Sequence, residues 1–340
     1  MERRQAVAGI DVEAVLINPL IVVRDIHFAT SVIVAGIVFF DHFIAAPVLQ
    51  TDLRLPATEA SFRTRTREIL WIGLTLSIAS ALAWLILLSA RIAGKPFDEV
   101  IADGTIWIVL LQTQFGLAWG ARIFFGTLLA ALLLPRPKAN ARAPIWQSVV
   151  ATLLAGSYLG SLAFAGHGEE GLGFEREIHL AADFMHLLAA GLWLGGLIPL
   201  ALLLDSLRRF REEHWGQVAC HTAGRFSALG ILAVGILLLT GMVNISFLVA
   251  GMRALTEKPY GRLLLLKLAL FVAMFCVAGI NRQYLLPRLC SEAGSDQSAP
   301  TVRKLVRSTL VETALGFGII VIVGILGITA PATDMPTHIH

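Results

Sequence analysis

The chain reads as an all-α polytopic membrane protein, a bundle of about eight transmembrane helices with both termini periplasmic. Three observations carry that class. Of the 340 residues 56% are hydrophobic and only 15% are charged, and the mean hydropathy of +0.74 lies far from the soluble average. Apolar runs recur at lengths that cross ~30 Å of hydrocarbon at ~1.5 Å per residue. Pro and polar clusters fall between the runs, at Pro56, Pro135 to Pro137, Pro144 and Ser291 to Thr301.

The runs place spans near 20–49, 69–90, 105–134, 145–166, 177–204, 218–250, 261–287 and 304–330. The third is longer than a span needs, so its start, with Gln112 and Gln114, is expected to tilt or lie along the interface. Three segments are expected: three N-terminal helices over 1–144, a five-helix core over 145–330 and a His-containing tail over 331–340. The first span is expected to stay in the mature protein, because Met1 to Pro19 is short and mixes acids with bases, unlike the basic start, apolar centre and small-residue exit of a cleavable signal. Orientation follows from the bases in the connections. One side carries 14 Lys and Arg, including Arg54, Arg63, Arg136, Arg208 and Arg288, against 8 on the other, which puts the first side in the cytoplasm.

The net charge of +3 decides little, and no basic tract with interleaved aromatics supports a nucleic-acid partner. The partner that composition demands is the lipid bilayer. Cys220, Cys276 and Cys290 lack paired spacing and read as free thiols. No GxxxxGK[ST], HExxH or CxxC motif occurs, so an ATP-driven pump or a metalloprotease lacks its machinery. Gly191, Gly195 and Gly196 lie within an apolar span and read as close helix packing.

The chemistry concentrates in the fifth span, where His179, Asp183 and His186 share one helical face at i, i+4 and i+7. Ionisable residues inside a span mark function by default, although histidine also serves as interhelical glue. His186, about ten residues in, lies roughly 15 Å deep, which suits a conduit better than a surface site. His27, His167, His338, His340 and Met335 fall toward the outer half as well. Imidazole, thioether and carboxylate donors on one side form a copper-like ligand mix that favours copper over zinc and leaves both open. In the first span Asp25-Ile26-His27 stands near the outer end and Asp41-His42 about four turns further in, as entrance and exit. Arg24 and the headgroup level offer plainer partners for these pairs. A buried Asp183–Lys267 pair and an inner network of Arg225, Asn281, Arg282 and Glu312 are expected, with Glu312 a possible proton acceptor or exit. Cys220-His221 and Cys290 could pass Cu(I) onward.

The stretch His179 to Leu200, HLAADFMHLLAAGLWLGGLIPL, resembles the copper resistance protein D (CopD) family of bacterial inner-membrane proteins. So do Arg225-Phe226-Ser227, Thr240-Gly241 with Asn244, Tyr260 to Leu268, Asn281-Arg282, Leu286 to Leu289 and Glu312. The likeness covers about 145–330 firmly, and the first helices more loosely through His27 and Phe115-Gly116 to Arg122. It implies copper handling at the inner membrane beside a periplasmic CopC-type protein, with uptake toward the cytoplasm; the missing motifs separately lead to the expectation that the chain is not an enzyme. Two other readings stay open: a b-type haem redox protein, with histidines as axial ligands, and a copper-binding scaffold or sensor that moves nothing.

Overall fold

The computed structural model describes residues 18–49, 55–134, 144–165, 173–248, 252–295 and 297–329. It contains eight helices long and apolar enough to cross a membrane: α1 Pro19–Leu49, α2 Pro56–Ala93, α3 Gln114–Leu133, α4 Ile145–Phe164, α5 Phe174–Phe210, α6 Trp215–Leu248, α7 Pro259–Ser291 and α8 Ser298–Leu326. Successive helices alternate in direction. One end of the bundle therefore gathers the start of α1 and the end of α8, and the other, the basic end, gathers the starts of α2, α4, α6 and α8.

Helix starts follow local chemistry. Pro19, Pro56 and Pro259 occupy first-turn positions where the missing N–H costs nothing, and the Asn18 side chain caps α1 through Leu20 N at 3.1 Å. Two boundaries differ from the sequence reading. α2 begins at Pro56 rather than near 69, because Arg63, Arg65 and Arg67 ride on a helix that projects past the apolar span. The long third run breaks into a short helix Thr105–Gln112 and α3, with Thr113 extended and its hydroxyl capping Gly116 N at 3.1 Å.

α1 and α5 form the buried axis. In their most apolar windows 67% of residues are buried, against 11% for α7, which lies at the rim along α8. The axis closes at Gly36 and Gly195: a Cβ on either would overlap backbone atoms of the other helix. The glycines of α5 thus serve close packing, as read from the sequence.

α1, α5 and α7 each contain a π-turn, at Asp41–Ala45, Gly191–Gly195 and Asn281–Leu285. Each lies just before a proline, Pro47, Pro199 or Pro287. The proline ring crowds the carbonyl four residues earlier and donates no bond to it, and the wider turn absorbs that conflict. In α1 the freed carbonyl is Phe43 O, and Arg225 of α6 fills it through Nη2 at 3.0 Å and Nε at 3.3 Å. Arg225 thereby serves α1 rather than the inner network expected for it.

The free-thiol expectation fails for two cysteines. Cys220, early in α6, and Cys290, at the end of α7, form a disulfide with Cα atoms 5.1 Å apart, and Cys276 alone is free. Their separation of 70 residues hides the pairing from any spacing rule. In this form neither sulfur is a thiolate that could pass on Cu(I).

At the basic end Glu212 caps α2 from a distance, accepting from Ala57 N at 2.9 Å and Thr58 N at 3.0 Å. Partial burial works against its charge, but the hydrogen bonds from Thr58 and Ala57 outweigh it and hold the carboxyl below its ordinary value. A depressed carboxyl stabilises the fold at neutral pH and loses that contribution as the pH falls. Glu212→Ala is expected to cost about 1 kcal/mol at pH 7. In thermal unfolding of the detergent-purified chain, the gap to wild type should close as the pH drops through the carboxylate range.

Candidate metal path

The His179 face of α5 turns toward α6, where three residues answer it in register. The His179 ring stacks on Phe247, centroids 5.0 Å apart and 17° from parallel. Asp183 Oδ1 accepts from Asn244 Nδ2 at 2.5 Å. His186 Nδ1 meets Thr240 Oγ1 at 2.9 Å. The spacing 247, 244, 240 runs antiparallel to 179, 183, 186, so the contacts form a ladder of three rungs. It descends from the end opposite the basic one to about 18 Å along α5. His179 Nε2 also lies 3.8 Å from Asp183 Oδ2, and Lys267 of α7 is within electrostatic reach of both Asp183 and His186.

Thr240 Oγ1 has Ile236 O at 2.7 Å as an acceptor for its hydroxyl proton; in that arrangement Oγ1 accepts from His186 Nδ1–H and Nε2 is the lone-pair nitrogen. A fixed hydrogen-bond acceptor on the other ring nitrogen is what orients a metal-binding imidazole.

His27 repeats the arrangement elsewhere in the bundle. It is fully buried on the face of α1 that meets α2 and α3, away from the ladder. Its Nδ1 lies 3.0 Å from Ser77 O and 3.1 Å from Ser80 Oγ. A carbonyl oxygen only accepts, so Nδ1 carries the proton and Nε2 is bare. That Nε2 is buried and has no hydrogen-bond partner. Trp84 and Trp119 pack against the ring with centroids at 5.7 and 5.4 Å.

Arg122 of α3, 3% exposed, braces this chamber. It donates to Tyr158 O at 2.8 Å, Ser161 Oγ at 3.0 Å and Ser31 Oγ at 2.9 Å, with its guanidinium 4.5 Å from the Tyr158 ring centroid. Tyr158 and Ser77 share a further short hydrogen bond. Arg24 lies 5.0 Å from the Trp84 centroid and donates to Gly327 O at 2.7 Å. Its bond is thus to α8 rather than to Asp25.

The remaining site residues sit apart. Asp41 pairs with Arg63 at 3.7 Å and His42 with Ser148 at 2.7 Å, both toward the basic end. Glu312 accepts from Asn281 Nδ2. His167, Met335, His338 and His340 lie outside the described residues. Among the described residues no group of three or more His, Cys, Asp or Glu side chains forms a cage for a metal ion. The donors are strung out along α5 because i to i+7 covers about 10 Å of helix, and a shared face is not a shared point.

The histidines were legible in the sequence, whereas their partners were not. Arg122 in an apolar run was itself a signal. Ser77, Ser80, Trp84, Trp119 and Tyr158 carried none, since each is ordinary in a membrane helix until its neighbours are known.

Comparison with known proteins gives these donors a context. The copper resistance protein D family profile matches residues 220–326, and that of the copper resistance protein D-like N-terminal domain matches residues 14–178. Copper resistance protein D of Pseudomonas syringae pv. tomato is 30% identical over 80% of this chain and 85% of its own length. Inner membrane protein YebZ of Escherichia coli (strain K12) is 29% identical over 92% and 98%. Copper transport protein CutJ of Bacillus subtilis (strain 168) is 30% identical over 76% of this chain and 44% of its own length. No solved structure gives a significant match. With an eight-helix bundle, copper-suited donors inside it and two of these relatives matched along most of their length, the chain belongs to the copper resistance protein D family, a copper-related polytopic membrane protein.

Proposed function

We propose that the protein moves copper across the bacterial inner membrane from periplasm to cytoplasm, without ATP, through the donors inside its bundle. One observation carries this reading. His27 commits Nδ1–H to Ser77 O and leaves Nε2 buried and bare, the state in which imidazole binds a metal, and His186 Nδ1 is held by Thr240 Oγ1 within a second apolar span. The wide spacing of the rungs favours passage, because a relay of one- and two-donor stops releases an ion that a closed cage would retain.

In this reading the basic end faces the cytoplasm and both termini are periplasmic. His167, Met335, His338 and His340 collect copper there, on their own or from a CopC-type partner. His27, His179, Asp183 and His186 carry it inward, and Asp41, His42 and Glu312 mark the way out. The 145–330 segment then forms the conducting core, and 1–144 supplies the His27 chamber. The Cys220–Cys290 bridge lies at the end that cytoplasmic reductants would reach. Names of relatives such as copper resistance and copper transport protein agree with a transport role rather than an enzymatic one.

The test is flux into proteoliposomes that enclose a copper-responsive dye, with Cu(I) held by reductant or Cu(II) supplied outside. Protein-dependent filling at least tenfold above empty vesicles is expected for one valence. Background filling by a protein that still retains one or two copper ions after desalting would replace the transporter with a scaffold.

A further inference from the structure

A cavity of about 310 Å³ opens between α6, α7 and α8, on the basic side of Trp193, and no rung of the ladder lines it. Its volume sits at the lower bound of small-molecule sites. The opening exists because α7 packs along α8 but meets α6 chiefly through Leu286–Ser291 at the basic end, where the Cys220–Cys290 bridge ties them. Above that tie the two helices part. Ile231 of α6 and Phe275 of α7 flank the gap and are 53% and 50% exposed on the outside of the bundle. The mouth therefore faces hydrocarbon, and a ligand enters from the bilayer rather than from water.

The cavity has one polar end. The π-turn of α7 turns Asn281 and Arg282 into its lining beside Glu312. Glu312 is 3% exposed and stands at the midpoint of α8. Asn281 donates Nδ2 to Glu312, while its own Oδ1 is buried without a partner. Arg282 Nη1 donates to Ser227 Oγ at 2.8 Å and joins α7 to α6 below.

Depth and hydrogen bonding select the occupant. The midpoint of α8 is about 20 Å from either helix end, too deep for a phospholipid headgroup anchored at the surface of a ~30 Å core. A hydrocarbon tail alone would leave the buried Asn281 oxygen unsatisfied. The fitting molecule has an apolar tail and a small uncharged head that both accepts and donates. Carbonyls of such a head accept from Arg282 or the Ser227 hydroxyl, and hydroxyls of its reduced form donate to Asn281 Oδ1 or Glu312. We propose that this cavity is a binding site for an isoprenoid quinone or its quinol, entered laterally between α6 and α7. The inference does not rest on the copper path.

The probes are decylubiquinone and, under argon, its quinol, each titrated into the detergent-purified full chain, with quenching of tryptophan fluorescence as readout, since Trp193 lines the cavity. Two variants obstruct the site. A Cβ at Gly230 meets only Trp193 outside its own turn of helix, at 3.9 Å and beyond, so Gly230→Leu extends toward the interior from a position whose Cβ meets no backbone of a neighbouring helix. Ile231→Trp blocks the mouth from a lipid-facing position that tolerates bulk. Saturable quenching that weakens at least tenfold in both folded variants, and that 1-decanol does not displace, is the expected result. Absence of saturable quenching in the wild type, equal binding by both variants, or displacement by 1-decanol as effectively as by the quinone would overturn the proposal.

Discussion

Gly195→Val should leave little folded protein in the membrane. The backbone at Gly195 is helical, with φ −65°, so the substitution meets no conformational penalty of its own. What opposes it is α1. The added Cβ would fall on the Val32 carbonyl oxygen and lie 2.8 Å from Gly36 Cα, and neither backbone can yield without separating the two central helices. Overpacking against side chains costs about 1–3 kcal/mol. Here no rotamer can relieve the contact, so the loss should exceed that range and reach the level that unfolds a domain outright. Gly235 supplies the control, because nothing lies within 4 Å of a Cβ placed there. Gly235→Ala should leave the thermal midpoint unchanged or raise it, as alanine favours helix by up to about 1 kcal/mol. Fluorescence-detected size exclusion and thermal unfolding of the two variants read the difference. Similar behaviour of both would refute the close α1–α5 crossing.

The second large effect concerns His186. In the proposed path it is the deepest rung of the ladder, and its Nε2 is the donor that Thr240 orients. His186→Ala is expected to reduce copper flux at least tenfold in proteoliposomes while the chain elutes and melts like wild type. A half-buried imidazole with a single hydrogen bond to a neighbouring helix contributes only on the order of 1 kcal/mol. Thr240→Val separates the two roles of the rung. It keeps the shape, removes the hydrogen-bond partner on Nδ1 and should slow flux by roughly 10–100-fold, the usual cost of losing the group that orients a metal-binding histidine. A purely structural histidine predicts the reverse pattern, with lower stability and unchanged flux. Full flux in His186→Ala would remove the ladder from the path.

Composition and periodicity were enough for the class, the helix number and most span positions, because a segment in hydrocarbon must satisfy every backbone hydrogen bond within itself. Local sequence then fixes helix almost regardless of neighbours. The same rule made His179, Asp183 and His186 conspicuous, since ionisable groups in a span stand out one residue at a time. Pro47, Pro199 and Pro287 likewise announce the three π-turns to a reader who follows the freed carbonyls.

What stayed hidden depends on which helices touch. Cys220 and Cys290 are unremarkable 70 residues apart until the ends of α6 and α7 meet. His27 is one more polar residue until Ser77 O fixes its proton and two tryptophans enclose it. Arg225 looked like part of an inner charge network, yet it completes the backbone of α1 instead. Helix adjacency in a membrane is set by small-residue contacts such as Gly36 on Gly195 and by individual polar bonds, and hydropathy is blind to both. The sequence thus determined a helical membrane protein with metal donors in its interior. Only the packing of the eight helices decided that those donors form a ladder and a separate chamber rather than one cage.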